Sequence, residues 1–197
     1  MQLILAHGAG APMDSDFMQS FARGLAARGV RVIRFEFPYM QQRREDGRKR
    51  PPNRAPVLQS CWLDVVAAHP AERTFIGGKS MGGRIATVVA ERTPALGVIC
   101  LGYPFHPPGK PAKLRIDHLR ASRVPALIVQ GSRDALGSQE EVLGYDLPEQ
   151  IRLVWLADGD HSLKPRKRSG HSQAAHLARA VEASAAFMTE ISGPTQQ

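Results

Sequence analysis

Three side chains of complementary chemistry, Ser80, Asp134 and His161, occur in this order along the 197-residue chain. Ser80 stands in Gly78-Lys79-Ser80-Met81-Gly82, a G-x-S-x-G spacing, where the apolar run Thr74-Phe75-Ile76 breaks into glycines and restarts at once with helical periodicity. When a strand turns that sharply into a helix, only very small neighbours of the serine avoid a backbone clash, and the hydroxyl is presented away from both elements. A serine hydroxyl is a weak nucleophile until a base takes its proton, and a histidine base needs a carboxylate to fix its tautomer and stabilise the imidazolium. Asp134 ends Gly131-Ser132-Arg133-Asp134 and His161 ends Asp158-Gly159-Asp160-His161, each directly after an apolar run. The expected chemistry is attack of Ser80 on an acyl carbonyl, with His161 as base and then acid, and Asp134 orienting the imidazole.

Other readings compete for the same residues. Gly78-Lys79-Ser80 also ends a phosphate-binding loop, but the glycine required five positions earlier is Arg73, and strand character runs up to the glycines. An inert strand-to-helix turn would not bring an acid and a histidine to the ends of later strands. Asp158 and Asp160 are alternative acids, although both lie almost beside His161, where reaching its far ring nitrogen is awkward. His69, His106, His118, His171 and His176 fall in loops or helices away from strand ends. An oxyanion needs N–H donors, each worth about 3 to 4 kcal/mol of barrier. Met81, following the serine, supplies one; Ala9, or alternatively Gly10, in His7-Gly8-Ala9-Gly10 supplies the other. His7 is expected to brace that loop. Lys79 is either a structural residue of the turn or a ligand for an acidic group on the substrate.

The elements that must position these groups alternate in type. Leu3 to Ala6, Val30 to Phe37, Thr74 to Ile76, Leu96 to Tyr103, Ala126 to Gln130 and Ile151 to Leu156 read as strands. Helical spacing covers Phe17 to Ala26, Val57 to Val66, Met81 to Arg92, short stretches near Asp117 to Arg120 and Glu140 to Tyr145, and a long final helix from Ala174 to Phe187. Such alternation predicts an α/β fold, a mostly parallel sheet of about six strands with helices on both faces and ligands at the carboxyl ends of the strands. Tyr39 to Pro56, polar and broken by Gly47, Pro51, Pro52 and Pro56, reads as an exposed excursion. One domain is expected over residues 1–192, with a frayed tail from Gly193 to Gln197.

Composition narrows the class. Hydrophobic residues form 43% and charged residues 22% of the chain, ordinary for a soluble globular protein. No apolar run reaches the roughly 20 residues that cross a bilayer, and no signal-peptide pattern precedes Leu3, so a cytoplasmic location is expected. Cys61 and Cys100 lack a CxxC spacing, as buried thiols of a reducing compartment would, and argue against structural zinc. The net charge of +8 is concentrated in Arg43, Arg44, Arg48, Lys49 and Arg50 and in Lys164, Arg166, Lys167 and Arg168. These runs could draw an anionic substrate, but no aromatic residues interleave them for base stacking, which disfavours nucleic acid.

Taken together, His-Gly-Ala-Gly-Ala-Pro from His7, Gly-Gly-Lys-Ser-Met-Gly-Gly-Arg from Gly77, Gly-Ser-Arg-Asp from Gly131 and Asp-Gly-Asp-His-Ser from Asp158 resemble the α/β-hydrolase superfamily over about residues 1–190. The chain is similar in particular to the small hydrolases grouped with the testis-expressed proteins and the hydrolase-like domain of an NSL-complex subunit. The resemblance implies esterase, thioesterase or related acyl-transfer chemistry on a small acyl substrate, without cofactor or metal. The narrower group includes hydrolase-like subunits of complexes, so a binding or scaffold protein on the same fold is the rival. Relative to the usual superfamily pattern the chain starts at the third strand, and only Pro104 to Val124 is available as a cap. An open, shallow pocket follows, with Tyr103, Phe105 and Met40 as its expected walls.

Overall fold

The computed structural model describes residues 1–193, so the expected tail lies, beyond Gly193, outside the described residues. The elements in chain order are β1 (Gln2–Ala6), α1 (Asp16–Ala26), β2 (Arg31–Phe35), α2 (Pro38–Asp46), α3 (Ala55–Ala68), β3 (Thr74–Lys79), α4 (Met81–Val89), β4 (Gly97–Leu101), α5 (Asp117–Ala121), β5 (Ala126–Gly131), α6 (Gln139–Leu143), β6 (Ile151–Leu156) and α7 (Gln173–Ser192). The strands form one six-stranded sheet in the order β2-β1-β3-β4-β5-β6. Every neighbouring pair is parallel. This is the α/β architecture that the alternation predicts.

Strand pleating divides the core in two. Ile4, Ala6, Ile76, Val98, Cys100, Ala126 and Ile128 face one layer, filled by Leu58, Trp62 and Val66 of α3 and by Ile85, Ala86 and Val89 of α4. Leu3, Leu5, Phe75, Ile99, Leu101, Leu127 and Val129 face the other, filled by Met18, Phe21 and Leu25 of α1 and by Val181, Phe187 and Met188 of α7. All five residues of β4 are buried, so the continuous apolar run in the sequence reflects burial on both faces. Each buried Leu, Ile, Val or Phe side chain contributes about 1.5 to 3 kcal/mol relative to exposure.

The chain passes from β1 to β2 through α1 on one face and from β2 to β3 through α3 on the other, crossing β1. The carboxyl ends of β1 and β3 therefore flank the point where the connections reverse, the position at which an open parallel sheet leaves a crevice.

One expectation is corrected. Part of the 39–56 excursion is helical: α2 starts with Pro38 in its first turn and stops at Gly47, which takes a left-handed φ of 71°. A missing N–H costs nothing at the first helical position, and glycine accepts the left-handed end. The excursion is also tied down, because Asn53 Oδ1 accepts from the Tyr39 amide at 2.9 Å. The two cysteines are free, Cys100 buried and Cys61 half-buried.

Helices α1 and α7 pack through Gly24, where an added Cβ would lie 2.7 Å from Val181 Cγ2. Overpacking of this kind costs about 1 to 3 kcal/mol, whereas glycine in a helix interior costs about 1 kcal/mol relative to alanine. Gly24→Ala is therefore expected to destabilise the protein. In a Val181→Ala background, which removes the obstructing methyls, the same substitution should stabilise by about 0.5 to 1 kcal/mol. Urea denaturation of the four proteins reads the change of sign; equal effects in both backgrounds would refute the packing account.

Candidate active site

Ser80 joins β3 to α4 with φ 50° and ψ −115°, a conformation disfavoured for any residue with a Cβ. Its neighbours make that turn possible. A Cβ on Gly78 would lie 2.5 Å from the Ala6 carbonyl oxygen, and one on Gly82 would lie 2.6 Å from the carbonyl oxygens of Ala6 and His7. Side chains at either position would push α4 off the sheet. The turn is further held by the Ser80 amide, which donates to the Leu101 carbonyl at 3.0 Å, and by the Ser80 carbonyl, which accepts from the Arg84 amide at 3.0 Å.

The structure brings Ser80, His161 and Asp134 into one chain of hydrogen bonds. Ser80 Oγ lies 2.8 Å from His161 Nε2. His161 Nδ1 lies 2.8 Å from Asp134 Oδ2. A carboxylate can only accept, so Nδ1 carries the proton and Nε2 presents its lone pair to the Ser80 hydroxyl. Asp134 is fully buried. It also accepts from Gln130 Nε2 at 2.9 Å and from the Leu136 amide at 2.9 Å. Asp158 and Asp160 are engaged elsewhere. Asp158 accepts from Arg133 and Arg166, and the Oδ1 of Asp160 accepts from the amides of Ser162 and Lys164.

The loop carrying His161 crosses directly over two glycines. A Cβ on Gly131 would lie 2.4 Å from the carbonyl oxygens of Gly159 and Asp160, and one on Gly102 would lie 2.6 Å from the His161 carbonyl oxygen. Lys79 fixes the same segment, because its ammonium donates to the His161 carbonyl. The Lys79 Nζ also lies 5.7 Å from the Phe17 ring centroid. Burial pushes the Lys79 ammonium down to about 8, against the opposing pull of Asp134 and Asp160. Lys79 also lines the cavity beside Ser80.

The loop after β1 is braced from beneath. His7 is fully buried, its Nδ1 lies 2.6 Å from the Gly8 carbonyl oxygen, and its Nε2 accepts from the Phe37 amide at 3.1 Å. Burial lowers the His7 pKa, consistent with a neutral ring whose Nδ1–H donates to Gly8. The Tyr39 hydroxyl meets the carbonyl oxygens of Ala9 at 3.0 Å and Gly8 at 3.3 Å. These contacts turn the carbonyls inward and leave Ala9 exposed on the cavity side. Met81, first residue of α4, has an N–H without an intrahelical partner. Tyr39 and Gln130 were not legible as site supports in the sequence, because each acts through contacts set only by the fold.

Two cavities meet at Ser80. One, of about 480 Å³, is lined by Ala9, Phe17, Met18, Ser80, His161 and Gln173 among others. The second, of about 320 Å³, is lined by Ala9, Asn53, Ser80, Met81, Arg84 and Arg115 among others. The expected walls Tyr103, Phe105 and Met40 are corrected: all three are buried in the core and line neither cavity. The Tyr103 hydroxyl turns inward to the Arg115 carbonyl at 2.8 Å, and its ring packs on Phe105 at a centroid distance of 4.8 Å. Phe17 and Met18, on the apolar stripe of α1, form cavity wall instead. Among the described residues no group of three His, Cys, Asp or Glu side chains is placed to hold a metal ion. Among them, too, no helix is long and apolar enough to cross a membrane.

A parallel sheet bearing a serine on a strained strand-to-helix turn, with histidine and acid after later strands, defines the class of α/β hydrolases. Residues 1–189 match the family model for an alpha/beta hydrolase domain, and the chain belongs to that family. The match establishes the superfamily; the narrower grouping with testis-expressed and NSL-complex proteins rests on the motifs alone. Among solved structures, the chain is similar to a candidate hydrolase of the alpha/beta superfamily from Xanthomonas campestris pv. campestris, with 23% identity, a TM-score of 0.67, and 95% of this chain and 97% of that one covered. It is also similar to an alpha-beta serine hydrolase homologue from Coxiella burnetii, with 17% identity, TM-score 0.70, and coverage of 96% and 85%. The esterase domain of a Rhodothermus marinus protein matches with 18% identity, TM-score 0.65, and coverage of 94% and 85%. At these identities the likeness is one of fold.

The lowered Lys79 pKa carries a stability signature. Between pH 8 and about 10.5 the unfolded chain, with an ordinary lysine, binds more protons than the folded one, so stability rises with pH in that window. Lys79→Met should lack that rise. Urea unfolding of both proteins from pH 7.5 to 10.5 tests it, and parallel curves would show that Lys79 has an ordinary pKa in the folded state.

Proposed function

We propose that the protein is a serine hydrolase that cleaves an ester or thioester through an acyl-enzyme on Ser80. The observation that carries this reading is the continuous line Ser80–His161–Asp134, with both links at 2.8 Å. His161 Nε2 accepts the Ser80 proton as Oγ attacks the carbonyl carbon, and the Ala9 and Met81 N–H groups receive the developing oxyanion. The carbonyl re-forms as the bond to the leaving oxygen or sulfur breaks, and His161 returns the proton to that atom. Water then repeats the sequence on the acyl-enzyme. Asp134, held by Gln130 and Leu136, keeps the imidazole in the productive tautomer. The name esterase given to the Rhodothermus domain agrees with an ester substrate.

Treatment with a fluorophosphonate probe is expected to label Ser80 and to leave Ser80→Ala unlabelled. Asp134→Asn should lower kcat for an activated ester by about 10⁴-fold, because the amide favours the wrong tautomer. Absence of labelling in a protein whose fold is verified by circular dichroism would overturn the proposal in favour of a binding protein on a hydrolase fold.

A further inference from the structure

The second cavity at Ser80 is lined by two cations, Arg84 and Arg115, that no carboxylate among the described residues pairs with. Arg84 lies one helical turn beyond Ser80 on α4, and Arg115 enters from the segment before α5. Both are partly buried, and among the described residues neither side chain has a carboxylate partner. Arg115 bears on Arg84, whose pKa is lowered first by burial and then by the charge of Arg115. Two like charges drawn together in a partly dry cavity are unfavourable without an anion between them.

Their backbones are fixed. The Arg84 amide donates to Ser80 and its carbonyl accepts from Thr87 Oγ1 at 2.7 Å. The Arg115 amide donates to the Phe105 carbonyl at 2.7 Å, and its carbonyl accepts from the Tyr103 hydroxyl at 2.8 Å. Asn53 lines the same cavity; its Oδ1 is taken by the Tyr39 amide, which leaves its amide nitrogen as a third donor.

The two cavities have distinct places in the reaction. The leaving atom must lie within reach of His161 Nε2, and His161 lines only the larger cavity. The smaller cavity contains Met81 and not His161, so it receives the substituent on the acyl side of the carbonyl. We infer that the substrate is an ester or thioester whose acyl half ends in a carboxylate, held by the Arg84 and Arg115 guanidiniums beside Ser80. Guanidinium groups fit carboxylates through paired N–H donors in a plane, which gives orientation as well as attraction. This assignment rests on Ser80 as the nucleophile.

The test compares 4-nitrophenyl monoadipate with 4-nitrophenyl hexanoate, which have acyl chains of equal length, after subtraction of spontaneous hydrolysis. The wild-type protein should prefer the monoadipate in kcat/KM. In Arg84→Gln/Arg115→Gln the ratio of the two kcat/KM values should fall at least about tenfold, and Arg84→Lys/Arg115→Lys should retain part of it. No preference in the wild type, or an undiminished ratio in the double Gln variant, would overturn the proposal. Hydrolysis of neither ester, together with no fluorophosphonate labelling of Ser80, marks failure of the hydrolase reading instead. The subsite is then judged by titration calorimetry with adipate: binding to the wild-type protein that is lost in the double Gln variant supports it, and no binding to the wild type overturns it.

Discussion

The carbonyl oxygen of Ala6 is the point on which the architecture closes. It sits so near both arms of the Ser80 turn that a methyl at Gly78 or Gly82 would intrude to 2.5 or 2.6 Å. Because β1 pairs with β3 in register at Ala6 and Gly78, this approach cannot be relieved without breaking the sheet. The same contact sets the height of α4 above the strands and thus where Ser80 stands. A residue in a sparsely populated conformation costs about 1 to 3 kcal/mol, and persists only where the surroundings over-determine it. Here two paired strands, a helix start and two backbone hydrogen bonds do so.

From that point the other groups follow by direction. All six strands run the same way, so the loops after β1, β3, β5 and β6 open on one edge of the sheet. Asp134 and His161 follow adjacent strands, with Gly131 of β5 beneath the crossing of the His161 loop. That crossing needs both a missing side chain and a counter-anchor. Gly102 provides the space, and Lys79 the bond to the His161 carbonyl. A lysine at this position thus does what its sequence neighbours could not reveal: it joins the strand before Ser80 to the His161 loop.

How much was legible depended on how local the cause was. Strands, the serine turn and the order of Ser80, Asp134 and His161 were readable because apolar runs, flanking glycines and chain order carry them within a few residues. Helix α2 is hidden from periodicity because PYMQQRRED has almost no apolar face; its signal is Pro at its start and Gly at its end. Tyr39 and Gln130 support the site across 30 residues or from inside the sheet, and no periodicity marks such contacts. The pocket walls differ from the sequence expectation for a related reason. Tyr103 and Phe105 follow β4 at the site edge, but the 104–124 excursion folds over them and makes them core, while Phe17 and Met18 of an ordinary amphipathic helix become wall.

Charge illustrates the same distinction. Part of the charge in the basic runs is spent within the protein: Arg44 pairs with Glu36 and Asp14, Arg50 with Asp46, and Arg166 with Asp158. The exposed pairs among them contribute little to stability, and their main effect is to cancel the local field. Arg84 and Arg115 lie 31 positions apart in the sequence, and neither belongs to the two dense basic runs. Their proximity is created by the fold, and their charge persists because no carboxylate among the described residues reaches them. For a site of this kind the informative quantity is therefore not the density of positive residues but the place where a cation faces a cavity without a partner.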